Sequence, residues 1–466
     1  MKQISRYIWT IGCISLTLSF VQAQTAETPH IAKEVLGAHI DSIANMLEQN
    51  YISAEMGAEM ASVIREKEGQ GGYDKMTYQE FGKQLTWDLR TVSGDVHMSA
   101  YYDLEREVPR ETLLSLKTDK WGEVSNYGYT ETKILEDNIG YLRIAHFTKW
   151  TFFEQARERL SASMKLLQNT DALIIDLRDN PGGFEDIVAF LSSYFLGGKS
   201  FKLQEYYCRY QDRTTSIYTT EQVPGNKMEE LPLFILVNEG TGSAAESFAY
   251  ILKHLDRATV IGDTTAGGGN GSTIFRISKE LVLQVAVCET FNAVTQTSWE
   301  KVGVIPHITT QSEDAFKKAK ALAKGAAKQH RSQLIASYEV LLKKMELAIE
   351  GFTPSQSDTL IIRTFEQCHQ VGLINESVVN SMGYEMLGGK KRPHTAEVIF
   401  KANMMLYPNS ANTYDSYAES LLVNGKLQQA IENYQSAVDI GTANEDPSLS
   451  IYRENLEKAK KELAEP

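Results

Sequence analysis

Serine becomes a useful nucleophile only where a base can take its proton and fixed donors can meet the charge that follows. Ser243 stands where both conditions can be met. It closes the run Asn238-Glu239-Gly240-Thr241-Gly242, follows the apolar segment Pro232-Leu233-Phe234-Ile235-Leu236-Val237, and opens an amphipathic stretch from Ser243 to Leu255. A serine between a strand and a helix sits among backbone N–H groups that lack intrahelical partners, at the positive end of the helix dipole. The Ala244 amide points where an oxyanion would form. The plainer reading of Ser243 is a helix N-cap.

A second loop gives that serine company. Asp176-Leu177-Arg178-Asp179-Asn180-Pro181-Gly182-Gly183 ends another apolar run, Asp171 to Leu177. Paired glycines let the backbone approach a ligand and present N–H groups to it. Both loops leave the C-terminal ends of strands, where open α/β sheets bind ligands, so a two-amide oxyanion hole is expected. A third glycine run, Gly267-Gly268-Gly269, lacks the Gly-Lys-Ser/Thr ending of a phosphate cradle. It reads instead as a turn lining the cleft, with Gly268 and Gly269 as substrate contacts. Glu246, one helical turn after Ser243, either steadies the helix start or meets substrate. The histidines form no i, i+4 pair, so no metal site is expected, and no cofactor is implied.

The elements that carry these residues alternate. Residues 138–144 alternate like a half-buried strand, 171–177 and 232–237 are nearly continuous apolar runs, and Ala258-Thr259-Val260-Ile261-Gly262 is a further strand. Phe184 to Phe195 and Ser243 to Leu255 have helical spacing. This succession predicts an α/β layered domain over 105–312. Before it, residues 24–104 read as a leading helical segment, with Val35, Ile40, Ile43, Met46 and Leu47 recurring at three and four. After it, 313–369 read as long Ala/Lys/Glu-rich helices. From 370 to 466 helical hairpins follow, and Tyr407 to Tyr434 resembles one tetratricopeptide repeat, either a partner-binding surface or plain capping helices.

A chain of 466 residues with 42% hydrophobic content suggests two or three domains. Residues 1–23 read as an export signal: Lys2 and Arg6, an apolar core from Ile8 to Phe20, and Val21-Gln22-Ala23 before the cleavage point. The mature protein is therefore expected in the periplasm, the cell envelope or outside the cell. Its formal charge is −13, or −15 once Lys2 and Arg6 are removed with the signal, which disfavours nucleic acid as a partner. Cys208, Cys288 and Cys368 are far apart and are expected mainly as buried free thiols, the alternative being one pair in an oxidising compartment.

Residues 31–308 resemble the tail-specific, or C-terminal processing, serine peptidases and their relatives, the tricorn core protease and the interphotoreceptor retinoid-binding protein. Asp176 to Gly183, Ser243 to Glu246, Gly262 to Gly269 and Trp299 to Pro306 carry the likeness. It implies a ClpP/crotonase-like fold and ATP-independent cleavage of peptide or protein substrates, often in unstructured or C-terminal segments. It places the oxyanion donors on Ala244 and on Gly182 or Gly183. The bacterial processing branch pairs its serine with a lysine in the Gly-rich segment. Residues 264–272 hold none, the nearest downstream lysine being Lys279, and no PDZ-like insertion is evident. Both departures point to the tricorn and retinoid-binding branch, in which a histidine is the base and a late acid orients it. The match assigns Ser243 as nucleophile, His97 of Gly94-Asp95-Val96-His97 as base, and Glu300 as the orienting acid. Tricorn-type sites place a serine before the histidine, where this chain has Val96. Ser93 or Ser99 would have to substitute, or Glu300 would touch His97 directly. The retinoid-binding relatives leave a second reading, a hydrophobic-ligand or peptide-binding protein without catalysis.

Overall fold

The computed structural model describes residues 28–103 and 122–464, so the export signature lies outside the described residues. The chain forms two compact units, Met1–Lys324 and Gly325–Pro466. The strands of the first are β1 (Ser99–Tyr102), β2 (Tyr129–Leu135), β3 (Ile139–Ile144), β4 (Ala172–Asp176), β5 (Lys202–Cys208), β6 (Arg213–Tyr218), β7 (Leu233–Val237), β8 (Thr259–Gly262), β9 (Gly271–Arg276), β10 (Leu281–Asn292) and β11 (Ile308–Thr309). Its helices are α1 (Lys33–Asn50), α2 (Ala54–Gly69), α3 (Tyr78–Ser93), α4 (Phe153–Leu167), α5 (Glu185–Ser192) and α6 (Ala244–His254). The helix α7 (Ser312–Gly351) begins in this unit.

Six strands form one sheet in the order β11-β8-β7-β4-β3-β2, parallel except for the antiparallel edge strand β2. Every residue of β4 and β7 is buried, as strands without polar alternation require when helices cover both faces. Leu160 of α4, Phe190 of α5 and Phe248 of α6 share one core with Ile175 and Ile235. The alternation in 138–144 predicts a half-buried strand, yet only Arg143 of β3 escapes full burial. The reason is position: β3 lies inside the sheet, between β2 and β4.

A second, antiparallel sheet runs β1-β10-β5-β6, with β9 also paired to β10. Nothing in the local pattern of the sequence predicts it, for its β1–β10 pairing joins Ser99 to Gln284, partners too distant in the chain for local pattern to connect. The leading helices bury Ile43, Phe81 and Leu85 against Leu283 and Val285 of this sheet, forming a core with it. They are therefore a layer of the first unit.

The cysteine expectation is corrected. Cys208 on β5 and Cys288 on β10 face each other directly in the ladder and form a disulfide, while Cys368 is free and buried. A separation of 80 residues hid the pair.

The second unit continues with α8 (Thr359–Gln370), α9 (Glu376–Tyr384), α10 (Pro393–Leu406), α11 (Ala411–Val423), α12 (Leu427–Ala443) and α13 (Leu449–Ala464). Gly425, at φ +74°, turns the chain between α11 and α12, and Ala418, Leu421, Ala430 and Tyr434 pack together. Small residues let the two helices approach closely there. The sequence boundary after residue 312 marks the start of α7, whereas the division between the units falls within that helix. Among the described residues no helix is long and apolar enough to cross a membrane.

The disulfide closes a long loop, so Cys208→Ala with Cys288→Ala is expected to cost about 2–4 kcal/mol of stability. The denaturation midpoint under non-reducing conditions checks this. The same loss should appear in the wild type on reduction.

Candidate active site

The two loops at the C-terminal ends of β4 and β7 are stitched to each other. Asn238 Oδ1 accepts from the Asp179 N–H at 2.8 Å, and Asn238 Nδ2 donates to Asp179 Oδ1 at 2.8 Å. The Thr241 hydroxyl donates to Leu177 O at 2.8 Å, and the Gly242 N–H to Asn180 O at 2.8 Å. The first loop is anchored at its root, where Arg178 reaches both oxygens of buried Asp176, at 2.9 and 2.6 Å.

This stitching presses Gly182 onto the nucleophile candidate. A side chain at Gly182, φ +100°, would fall 2.7 Å from Ser243 Cβ and 2.9 Å from the Ala244 nitrogen. At Gly183, φ +139°, it would fall 1.6 Å from Phe147 O. Both positions admit only glycine. Ser243 itself has φ +49° and ψ −120°, a strained conformation for a non-glycine residue that costs on the order of 1–3 kcal/mol. Of the expected oxyanion donors, Gly182 is corrected: its N–H is spent on Asn180 Oδ1 at 2.9 Å, an Asx-type turn. Among the described residues, the N–H groups of Gly183 and Ala244 have no acceptor; Ala244 follows Ser243 directly, and Gly183 follows the glycine packed against it.

What holds the strain is Glu246. Its buried carboxylate accepts from the Ser243 N–H at 2.8 Å and the Gly268 N–H at 2.9 Å through Oε2. Through Oε1 it accepts from the Gly267 N–H at 2.7 Å and the Thr265 hydroxyl at 2.5 Å. Burial pushes its carboxyl above the usual range, against these four donors. Both Glu246 oxygens are therefore taken up by donors of the protein itself. Gly268 and Gly269 likewise spend their N–H groups internally, on Glu246 and on Glu300.

Gly268 is the hinge between serine and histidine. A methyl group on it would lie 2.9 Å from His97 Cε1 and 3.4 Å from His97 Nε2. The imidazole thus rests on the glycine whose N–H shares the Glu246 oxygen with Ser243. His97 arrives there because α3 stops on time. A Thr77–Glu80 capping box starts the helix, and Gly94 at φ +67° ends it three residues before His97. Ser93 and Ser99 do not link the ring to an acid: Ser93 Oγ donates to Leu89 O, and Ser99 Oγ to Gln284.

Two carboxylates crowd the imidazole. Asp95, fully buried, accepts from the His97 backbone N–H at 2.9 Å, from Asn270 Nδ2 at 3.0 Å and from the Tyr51 hydroxyl at 3.2 Å. Its Oδ1 lies 3.6 Å from His97 Nδ1. Glu300, partly buried, accepts through Oε2 from the N–H groups of Gly269 and Asn270 at 2.7 and 3.0 Å. His97 Nδ1 and Glu300 Oε1 are both buried without a hydrogen-bond partner. Burial pushes the Asp95 carboxyl upward, but the hydrogen bonds from His97 and Asn270 outweigh it and hold the group below its ordinary value. Burial, then repulsion from Asp95, pushes Glu300 up to about 6. One ligand atom each from Asp95, His97 and Glu300 lies within 4.8 Å of the others, a donor set able to hold a divalent cation.

Residues 138–310 match the model of peptidase family S41, and residues 30–126 match the N-terminal domain of S41 peptidases described for eukaryotic IRBP. The chain belongs to peptidase family S41. The chain is 30% identical over 183 residues to a carboxy-terminal-processing protease of Bartonella bacilliformis, covering 38% of this chain and 40% of that one. It is 32% identical over 171 residues to the chloroplastic carboxyl-terminal-processing peptidase 2 of Arabidopsis thaliana, covering 36% and 31%. The matches thus span less than half the length of these curated relatives. The photosystem II D1 C-terminal processing protease superposes with a TM-score of 0.39 at 16% identity, over 61% of this chain and 94% of that one.

Asp95 belongs to the Gly94-Asp95-Val96-His97 motif, in which the family likeness assigns a role to the histidine alone. The signal was available: an acid two residues before a candidate base can reach that residue's own backbone.

Glu246→Ala would strand three backbone N–H groups, each costing about 1–3 kcal/mol when buried and unsatisfied. A marked fall in the urea midpoint is expected, with Glu246→Gln intermediate. Because Glu300 holds its proton more tightly when folded, its contribution to stability is full below about pH 4.5 and is lost as pH rises through 6. Denaturation curves across that window should fall less steeply in Glu300→Gln than in the wild type, the remaining fall coming from other raised carboxyls such as Glu185.

Proposed function

We propose that the chain is an exported, ATP-independent serine peptidase in which Ser243 attacks the scissile carbonyl and His97 takes the hydroxyl proton. The supporting observation is the shared Glu246 oxygen, with the Ser243 N–H on one side and, on the other, the N–H of the glycine on which the imidazole rests. In the attack, the Ser243 Oγ–carbon bond forms as the proton passes to His97 Nε2, and the carbonyl oxygen becomes an oxyanion between the Ala244 and Gly183 amides. Collapse breaks the peptide bond, and the imidazolium returns its proton to the leaving amine. Water, deprotonated by the same ring, then hydrolyses the acyl-enzyme. The sequence assigns Glu300 to orient the ring and stabilise the imidazolium; Asp95 stands beside it, and both acids lie within 4.8 Å of a ring nitrogen.

Peptide or protein substrates follow from the family, and the processing-protease names of the relatives favour cleavage near C-termini. A disulfide between Cys208 and Cys288 suits an oxidising compartment, which supports export. The α11–α12 hairpin, with Ala418 and Ala430 buried at its helix contact, suits a tetratricopeptide-like surface for a protein partner.

Fluorophosphonate labelling and peptide-library hydrolysis test the reading. The wild type is expected to label and cleave, with Ser243→Ala and His97→Ala each lowering kcat by at least about 10³-fold. A wild type that binds peptides without labelling or cleaving them would mark a binding module and overturn the proposal.

A further inference from the structure

We propose that Asp95 is the positioning residue of the general base, its carboxylate accepting the Nδ1 proton of His97, and that Glu300 acts chiefly as a clamp on the Gly269–Asn270 turn. This inference rests on the reading of His97 as the base.

Three observations carry it. The first is distance: Asp95 Oδ1 lies 3.6 Å from Nδ1, whereas no Glu300 oxygen comes within the 4.0 Å of an ion pair with the ring. The second is local covalent logic. The same Asp95 oxygen accepts the backbone N–H of His97 at 2.9 Å, so main chain and ring of one residue are referred to a single acceptor two positions earlier. An imidazole held at its root needs only a small rotation about its side-chain torsions to bring Nδ1 from 3.6 Å into hydrogen-bond range, and such contacts often tighten when substrate binds.

The third is how each acid spends its oxygens. Glu300 Oε2 is committed to two backbone N–H groups of the turn that leads into β9. Asp95 is instead encased by donors that favour its charge, Asn270 Nδ2 and the Tyr51 hydroxyl. The charged and titratable groups around His97 are Asp95 from its own segment, Tyr51 from the end of α1, Glu300, and Lys301, whose side chain passes within van der Waals range of Gly94. Burial and Asp95 keep the Tyr51 phenol protonated as a donor. An Nδ1–H held by Asp95 leaves Nε2 without a proton, the form that can accept one from Ser243.

Imidazole nitrogen shifts in ¹⁵N-histidine-labelled protein, assigned with His97→Ala, test the inference. His97 is expected as the Nδ1–H tautomer in the wild type and in Glu300→Gln. In Asp95→Asn the neutral ring should change tautomer, and kcat/KM should fall by about 10³–10⁴-fold, mostly in kcat. Glu300→Gln should lose less than about tenfold. An Nε2–H tautomer in the wild type, or its appearance in a folded Glu300→Gln, overturns the proposal, and neither result requires Asp95→Asn to fold. Failure of the underlying reading shows separately, as fluorophosphonate labelling of His97→Ala at the wild-type rate.

Discussion

The site depends on one buried carboxylate. Glu246 receives the N–H groups of Ser243, Gly267 and Gly268 and the hydroxyl of Thr265. An anion in the interior is costly unless its lone pairs are filled, and here all the nearby donors converge on it. The return on that cost is geometric. The strained backbone of Ser243 and the loop that carries the imidazole's resting surface are fixed to the same two oxygens. Thr265 extends the knot, its hydroxyl oxygen also accepting the Val304 N–H at 2.6 Å, so the segment after Trp299 is held to the same point.

The knot sits where two cores meet. Ser243 opens α6, whose apolar face belongs to the core of the parallel sheet. His97 follows α3, which packs on the antiparallel sheet. The loop from Asp263 to Asn270 leaves β8 in the first sheet and enters β9 in the second. Its Gly268 donates to Glu246 and lies against the His97 ring, and Trp299 donates its indole N–H to Gly268 O at 2.9 Å. Ser243 and His97 are thus delivered by different layers and joined by a connection that can be neither bulky nor slack.

Crowding Asp95 and Glu300 around one imidazole gives the site a graded electrostatic environment. Asp95 keeps its charge because hydrogen bonds offset its burial, while Glu300, less well supplied and repelled by its neighbour, is pushed up to about 6. Two carboxylates near one ring need not do the same work, and the donors around each set how readily it takes up a proton.

Much of this was legible in the chain. Continuous apolar runs at 171–177 and 232–237 can be satisfied only by strands buried on both faces, and glycine pairs at their ends only by close backbone approach. The parallel layer and the two loops flanking Ser243 therefore follow from local pattern, as does the prominence of His97 and Glu300 once the family likeness is seen. Tertiary structure decided the rest. Whether Glu246 faced substrate or core, whether Gly182 or Gly183 kept a free amide, and whether Cys208 met Cys288 all depend on groups distant in sequence. The antiparallel sheet was invisible for the same reason, since β10 finds β1 across nearly the whole unit. Periodicity tells a residue which way to face, but the identity of what it faces is set by packing, and hydrogen bonds of 3 Å are settled only there.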